Sequence, residues 1–147
     1  GMIVRVPHAS GMLEGHYTED TKFEKGDHRA HRPKSWLTNG LKKVEQLRFL
    51  EKPNRTLSHA ALKWLLADPV ITTILPNIYH EDQLKDFAMV SEAPDLTPDE
   101  LEKVAKLVAN NFGITDEPPM MYKGNMVHPD APGYADSLKA QSEAVSV

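Results

Sequence analysis

Two short runs of β-branched residues constrain what this chain can fold into more than any other feature. Ile3, Val4 and Val6 form the first run, which stops at Pro7. Val70, Ile71, Thr72, Thr73, Ile74 and Leu75 form the second, which Pro76 closes. β-Branched side chains suit extended backbone, and proline ends each run because it has no N–H to give a neighbouring strand. Both runs are apolar almost throughout, which predicts two buried strands.

Between and after the strands the spacing is helical. Residues 8–39 are rich in Gly, His, Thr, Asp and Lys without a sustained period, and read as a long loop, usually functional or mobile in a compact chain. From Leu41 the apolar positions Leu41, Val44, Leu47 and Leu50 predict an amphipathic helix that Lys52 and Pro53 end. Thr56 is a good N-cap for a second helix, whose broad face is Leu57, Ala60, Ala61, Trp64 and Leu65, and which stops before Asp68 and Pro69. On that face Trp64 and Leu65 read as core residues rather than a stacking platform. A third helix is predicted around Glu81 to Val90, with Leu84, Phe87 and Ala88 on one side. The capping box Thr97-Pro98-Asp99-Glu100 opens a fourth, through Leu101, Val104, Ala105 and Val108 to Gly113. Pro118, Pro119, Pro129 and Pro132 interrupt residues 114–147, which read as a tail. The expected organisation is one folded region, 1–113, and a carboxyl-terminal tail, 114–147.

The order strand, loop, two helices, strand, two helices is the rhythm of an α/β protein with a parallel sheet. Two parallel strands do not make a domain, because each keeps an unpaired edge and such sheets are stable only when covered on both faces. A chain of 147 residues, 40% hydrophobic and 26% charged, is nevertheless of ordinary globular composition. The expectation is therefore that part of the fold lies elsewhere. The net charge of −4, with both signs interspersed, offers no basic stripe for nucleic acid. Without cysteine there are no disulfides or thiolate zinc sites. No apolar run approaches the ~20 residues that cross a bilayer, and no leader is apparent, so no membrane partner and a cytoplasmic setting are expected.

Four motifs, in order, resemble the aldo-keto reductase family. Arg5-Val6-Pro7-His8-Ala9-Ser10-Gly11-Met12-Leu13-Glu14-Gly15 is similar to the family's loop Tyr-Ser-Pro-Leu-Gly-x-Gly-x-Leu-x-Gly, with Pro7, Gly11, Leu13 and Gly15 keeping the pattern. Ala60-Ala61-Leu62-Lys63-Trp64-Leu65-Leu66 resembles its Ala-x-x-Trp-Leu helix. The segment Ile74 to Asp86 resembles the end of its eighth strand and start of its eighth helix, and Leu96-Thr97-Pro98-Asp99-Glu100-Leu101 its extra carboxyl-terminal helix. The resemblance runs from residue 3 to about residue 113 and implies the carboxyl-terminal portion of a (β/α)₈ TIM barrel, here mainly helical with two short parallel strands.

The resemblance also implies carbonyl reduction with NADP (or NAD) as cofactor, at the mouth of the barrel. Loops after the last two strands commonly bind phosphate through backbone N–H groups. Arg5, Val6, His8, Ser10 and Gly11 fall on cofactor positions of the first loop, and Asn77, Ile78, Tyr79, Gln83 and Asp86 on those of the second. Gly11 and Gly15 permit close backbone approach, and Ser10 adds a hydroxyl. Arg5 stands where the family has a Tyr that stacks on the nicotinamide, so its guanidinium must stack as a plane or pair with an anion. Tyr79 supplies no cation for an adenosine 2′-phosphate, and Phe87 forms no amide hydrogen bond, which leaves NAD against NADP open, with His80 the nearest candidate cation. The family's proton-donating Tyr and its Lys, Asp and His partners belong to earlier strands, so no catalytic residue is assigned to His8, Tyr17 or Lys22.

Blander readings compete with these. Asp27-His28-Arg29-Ala30-His31-Arg32 can clasp phosphates, but reads rather as a solvated loop or as ion-pair partners of nearby acids. His16, His28 and His31 match no metal-ligand spacing, and no metal is assigned. The chain thus reads as a truncated oxidoreductase carrying a nicotinamide-dinucleotide half-site, its catalytic tetrad supplied by a missing amino-terminal half. The alternative is a non-catalytic, mostly helical homo-oligomer whose strand edges pair with a second copy of itself, acting as a binding module.

Overall fold

The computed structural model describes residues 1–116 and the backbone of 121–122 and 125–126. Strand β1 (Met2–Arg5) is followed by a long connection and helix α1 (Lys34–Leu47), then α2 (Leu57–Leu66), β2 (Ile71–Leu75), α3 (Glu81–Ala88) and α4 (Pro98–Ala109). The chain divides into two units, Gly1–Ile114 and Thr115–Val147. In the second, β3 (Met121–Tyr122) and β4 (Asn125–Met126) pair antiparallel; the prolines on which the tail reading rested lie outside the described residues.

β1 and β2 pair in parallel, with Ile3 opposite Thr73, Val4 opposite Ile74 and Arg5 opposite Leu75, after an irregularity beside Met2. The expectation that both strands are buried does not hold. Ile3 is 59% exposed and Leu75 53%, because among the described residues each strand has one hydrogen-bonded neighbour and one open edge. The apolar composition of the strands matches a more complete sheet than the one present.

The core lies among the helices: Met12, Leu37, Val44, Leu47, Leu50, Leu57, Leu96 and Val104 pack as one cluster. Fully burying a leucine contributes roughly 1.5–3 kcal/mol, so this cluster rather than the sheet carries the apolar stabilisation. α1 starts at Lys34, after Pro33 at its N-cap, seven residues before Leu41. Asn39 and Gly40, poor helix formers, hide that start in the sequence. Gly40 stands where a Cβ would collide with the end of the Met12 side chain, so the helix is glycine there to let the turn after β1 lie against it.

α2 is capped by Thr56, whose side chain accepts from the His59 N–H. Its first half is enclosed, with Leu57, Ser58, His59, Ala60 and Leu62 buried. Trp64, read as core from the sequence, is 44% exposed, and Leu65 is only half-buried. The turn after β1, the turn following α1, and α3 all meet α2, and they enclose its amino-terminal end. α3 likewise buries Phe87 but leaves Leu84 and Ala88 exposed. α4 has the predicted reciprocal capping box, and buries Val104 with Leu101 and Leu107 partly covered, while Val108 and Ala105 face solvent. Among the described residues no helix is long and apolar enough to cross a membrane.

Candidate functional site

Parallel pairing brings the carboxyl ends of β1 and β2 to the same side, so the turns that follow them, residues 6–15 and 76–80, lie next to one another. An open cleft of about 1120 Å³ lies between them. Val6, His8, Ser10 and Gly11 line it from the first turn; Asn77, Tyr79, Gln83 and Asp86 line it from the second turn and α3. Two residues expected at the cofactor are not among its lining. Arg5 ends β1 opposite Leu75 and is exposed, and Ile78 is exposed beside Asn77.

The first turn is built from left-handed backbone. Val6 (φ 54°), Ala9 (φ 50°), Ser10 (φ 60°) and Gly11 (φ 89°) all have positive φ. For β-branched Val6 this conformation is uncommon, and strain of this kind collects at sites where backbone must face a ligand. The N–H groups of Ser10 and Gly11 find no protein acceptor among the described residues, whereas those of Ala9, Met12, Leu13 and Glu14 are all bonded to backbone carbonyls. Successive free N–H groups in a left-handed turn form a concavity suited to an anion.

His8 is held differently from expectation. Its ring is 4% exposed, its Nε2 lies 3.2 Å from Ser58 Oγ and 3.3 Å from the Ser58 carbonyl oxygen, and it stacks on Phe87 at 4.9 Å. Burial lowers its pKa against the opposing hydrogen bond to Ser58, which favours the neutral ring. His8 therefore fastens the first turn to α2 and α3 while showing one edge to the cleft.

Gln83 joins the two turns. Its Oε1 accepts from the backbone N–H of Tyr79 (2.9 Å) and His80 (3.3 Å), and its Nε2 donates to Glu14 Oε2 (3.0 Å). His59 Nε2 lies 2.9 Å from the Asp86 carbonyl oxygen, its hydrogen-bond partner, and 3.0 Å from the Asp86 carboxylate. Asn77 Nδ2 donates to the Tyr79 hydroxyl at 3.3 Å.

The segment 26–29 closes a third side. Arg29 forms a fork on Asp27, with Nε 2.9 Å and 3.0 Å from the two carboxylate oxygens, and its Nη1 donates to the Tyr17 hydroxyl at 2.6 Å. Tyr17 in turn donates to the Ser10 carbonyl at 2.8 Å. The Arg29 side chain and N–H hold the Asp27 carboxyl at about 2. Burial raises the Tyr17 pKa, with Arg29 opposing. Arg29 is thus an ion-pair partner of Asp27, the reading preferred from the sequence. His16 and His28 line the cleft, but among the described residues no group of three or more His, Asp or Glu side chains gathers to hold a cation.

Sequence reasoning missed Glu14 and Ser58 as parts of this site, and it weighed Tyr17, Asp27 and Arg29 without assigning them to it. Glu14 and Tyr17 flank Gly15, and that short spacing from the glycine turn was the available signal. Four carboxylates, of Glu14, Asp27, Asp82 and Asp86, line the cleft, and the guanidinium of Arg29 is already paired. Carboxylates at these positions can accept from hydroxyl and amino groups, while backbone N–H groups supply the donors for an anion.

A comparison with known protein families finds that the model described as Aldo/keto reductase family matches residues 1–109. No curated protein matches the chain.

Proposed function

Since the chain belongs to the aldo/keto reductase family, a family of oxidoreductases, we propose that its cleft is the nicotinamide-dinucleotide half of a carbonyl-reducing site. The observation that carries this reading is the pair of N–H groups at Ser10 and Gly11 that have no acceptor among the described residues, in a left-handed turn at the carboxyl end of a parallel strand. When bound, NADPH or NADH supplies hydride to a carbonyl carbon.

In this reading Ser10 and Gly11 hold the pyrophosphate, and Glu14, Gln83 and Asp86 meet the adenosine. Val6 and the cleft-facing edge of His8 wall the path between them, and Asn77 with Tyr79 closes the adenosine end. The cleft volume exceeds the ~300–1,000 Å³ typical of small-molecule sites. Glu14 and Asp86 favour an unphosphorylated ribose, and Tyr79 brings no cation to a 2′-phosphate, so NAD is accommodated at least as well as NADP.

The rest of the site is proposed to come from elsewhere. β1 and β2 become the last two strands of a (β/α)₈ barrel, residues 1–113 its partial barrel, and residues 114–147 an appended tail. The acid that protonates the carbonyl oxygen then lies on strands supplied by a longer reading frame or by another polypeptide, and the open edges of β1 and β2 are where those strands pair. The same open edges favour a second reading, in which a second copy of the chain covers them and the product is a binding module.

Fluorescence and absorbance separate these readings. Trp36 packs near Tyr17, which lines the cleft, at 6.4 Å between ring centroids. Adding NADPH or NADH to the chain should quench tryptophan emission saturably, and adding a small aldehyde should cause no nucleotide consumption. Absence of quenching with both nucleotides sinks the half-site. Gel filtration showing a stable dimer that does not quench supports the second reading.

A further inference from the structure

We infer that the Tyr17 hydroxyl is the positioning group of the anion-binding turn: by holding the Ser10 carbonyl it sets the direction of the Gly11 N–H. The inference rests on the dinucleotide reading above and assigns the turn's geometry to a residue outside the turn.

Hydrogen-bond chemistry fixes the direction of the relay. Arginine has only donors, so where Arg29 Nη1 meets the Tyr17 hydroxyl at 2.6 Å the phenol oxygen must accept. Its own proton is then free for one acceptor, and the Ser10 carbonyl stands 2.8 Å away. Arg29 cannot swing aside easily, because its fork is closed on Asp27 and its guanidinium lies over the Phe23 ring at 4.9 Å. The order Asp27, Arg29, Tyr17, Ser10 is therefore a chain of bonds each of which orients the next.

The Ser10 carbonyl belongs to the same peptide plane as the Gly11 N–H, and in a trans peptide the two point in opposite directions. Fixing one fixes the other. That peptide needs fixing, since Ala9 and Ser10 both sit in the left-handed region that side-chain-bearing residues avoid. Gly11 carries the signature of the same contact: a Cβ there would collide with the Tyr17 hydroxyl. The residue is glycine so that the phenol can reach the carbonyl before it.

A purely structural role would place Tyr17 in the ring cluster with Phe23 and Trp36, at centroid distances of 5.4 and 6.4 Å. Tyr17→Phe keeps that packing and deletes only the hydroxyl, so the two roles separate. The full chain is titrated with NADP and, separately, with adenosine, and bound NADP is followed by phosphorus NMR. Tyr17→Phe should weaken NADP binding roughly tenfold, diminish the shift of the pyrophosphate resonance at saturation, and leave adenosine affinity unchanged. Equal NADP affinity and an equal pyrophosphate shift in wild type and Tyr17→Phe would overturn the inference while leaving the dinucleotide reading intact. A matching loss of adenosine affinity would overturn it also, by showing a general structural effect. A wild-type chain that shifts neither NADP nor NAD resonances overturns the dinucleotide reading itself.

Discussion

Arg55 and Glu100, remote in sequence, meet through Nη2 and Oε1 at 2.6 Å with the guanidinium only 1% exposed. The remaining donors of Arg55 are also used: Nε donates to the Leu50 carbonyl at 2.9 Å and Nη1 to the Asp95 carbonyl at 2.7 Å. Glu100 keeps its other oxygen for the Thr97 N–H, at 2.9 Å, closing the capping box of α4. One buried fork thus ties the turn after α1, the segment before α4 and the first turn of α4 into the frame on which α2 presents Ser58 to His8.

Arg55→Ala leaves Glu100 without its closest cation and the Leu50, Pro94 and Asp95 carbonyls without this donor. Removing one partner of a buried pair costs about 3–5 kcal/mol. The urea midpoint of the chain should fall accordingly, and an unchanged midpoint would show that the fork is ornamental. The double replacement Arg55→Met, Glu100→Leu should be less damaging than Arg55→Ala, since no charge is left stranded.

Acid should weaken the same connection. Burial by itself would raise the Glu100 carboxyl, but Arg55, the Thr97 N–H and Lys52 outweigh it and hold the group at about 2, against 4.5 when unfolded. A carboxyl depressed on folding stabilises fully above its unfolded pKa, because only there are both states deprotonated; below it the unfolded chain binds the proton first. Stability should therefore decline as pH falls from about 4.5 towards about 2. Glu100→Gln should be less stable at neutral pH and have a flatter profile through that window, measured as denaturation midpoint against pH. Parallel profiles for the two proteins would remove Glu100 from the explanation.

Gly11→Ala should both destabilise the chain and disturb the turn. Alanine at φ 89° is strained, at about 1–2 kcal/mol for left-handed backbone, and its methyl displaces the Tyr17 hydroxyl. Thermal unfolding should register the first effect. Loss of nucleotide quenching in protein that is still folded should register the second, and retention of full quenching would contradict the role given to the turn.

Tyr79→Arg introduces a cation where the cleft has no lysine or arginine among its second-turn residues. A guanidinium to phosphate contact is charge-assisted, so affinity for NADP relative to NAD should rise roughly tenfold. Competition between the two nucleotides measures this directly. An unaltered ratio would place the adenosine 2′ position somewhere other than Tyr79.

Much of the scaffold was legible because its signals are local. Pro7 and Pro76 mark the ends of the strands, and Thr97 with Glu100 marks the start of α4, each through chemistry within a few residues. The glycine turn was legible for the same reason, and Gly11 and Gly15 do adopt positive φ. What was not legible depends on distance. The buried Arg55 is explained only by partners at Leu50, Asp95 and Glu100, and the exposed Trp64 only by the end of α2 that its neighbours leave uncovered. The hydroxyl of Tyr17 takes its meaning from Arg29, twelve positions on, and Glu14 from Gln83, sixty-nine positions on. Neither pairing has a period or motif to announce it, so the walls of the cleft emerged only from the fold.

Isothermal titration of the full chain with NAD and with NADP tests the dinucleotide cleft most directly. One saturable site, with NAD bound at least as tightly as NADP and displaced by ADP-ribose, is the expected result. A flat isotherm with both nucleotides, from protein shown to be folded by its unfolding transition, would contradict it.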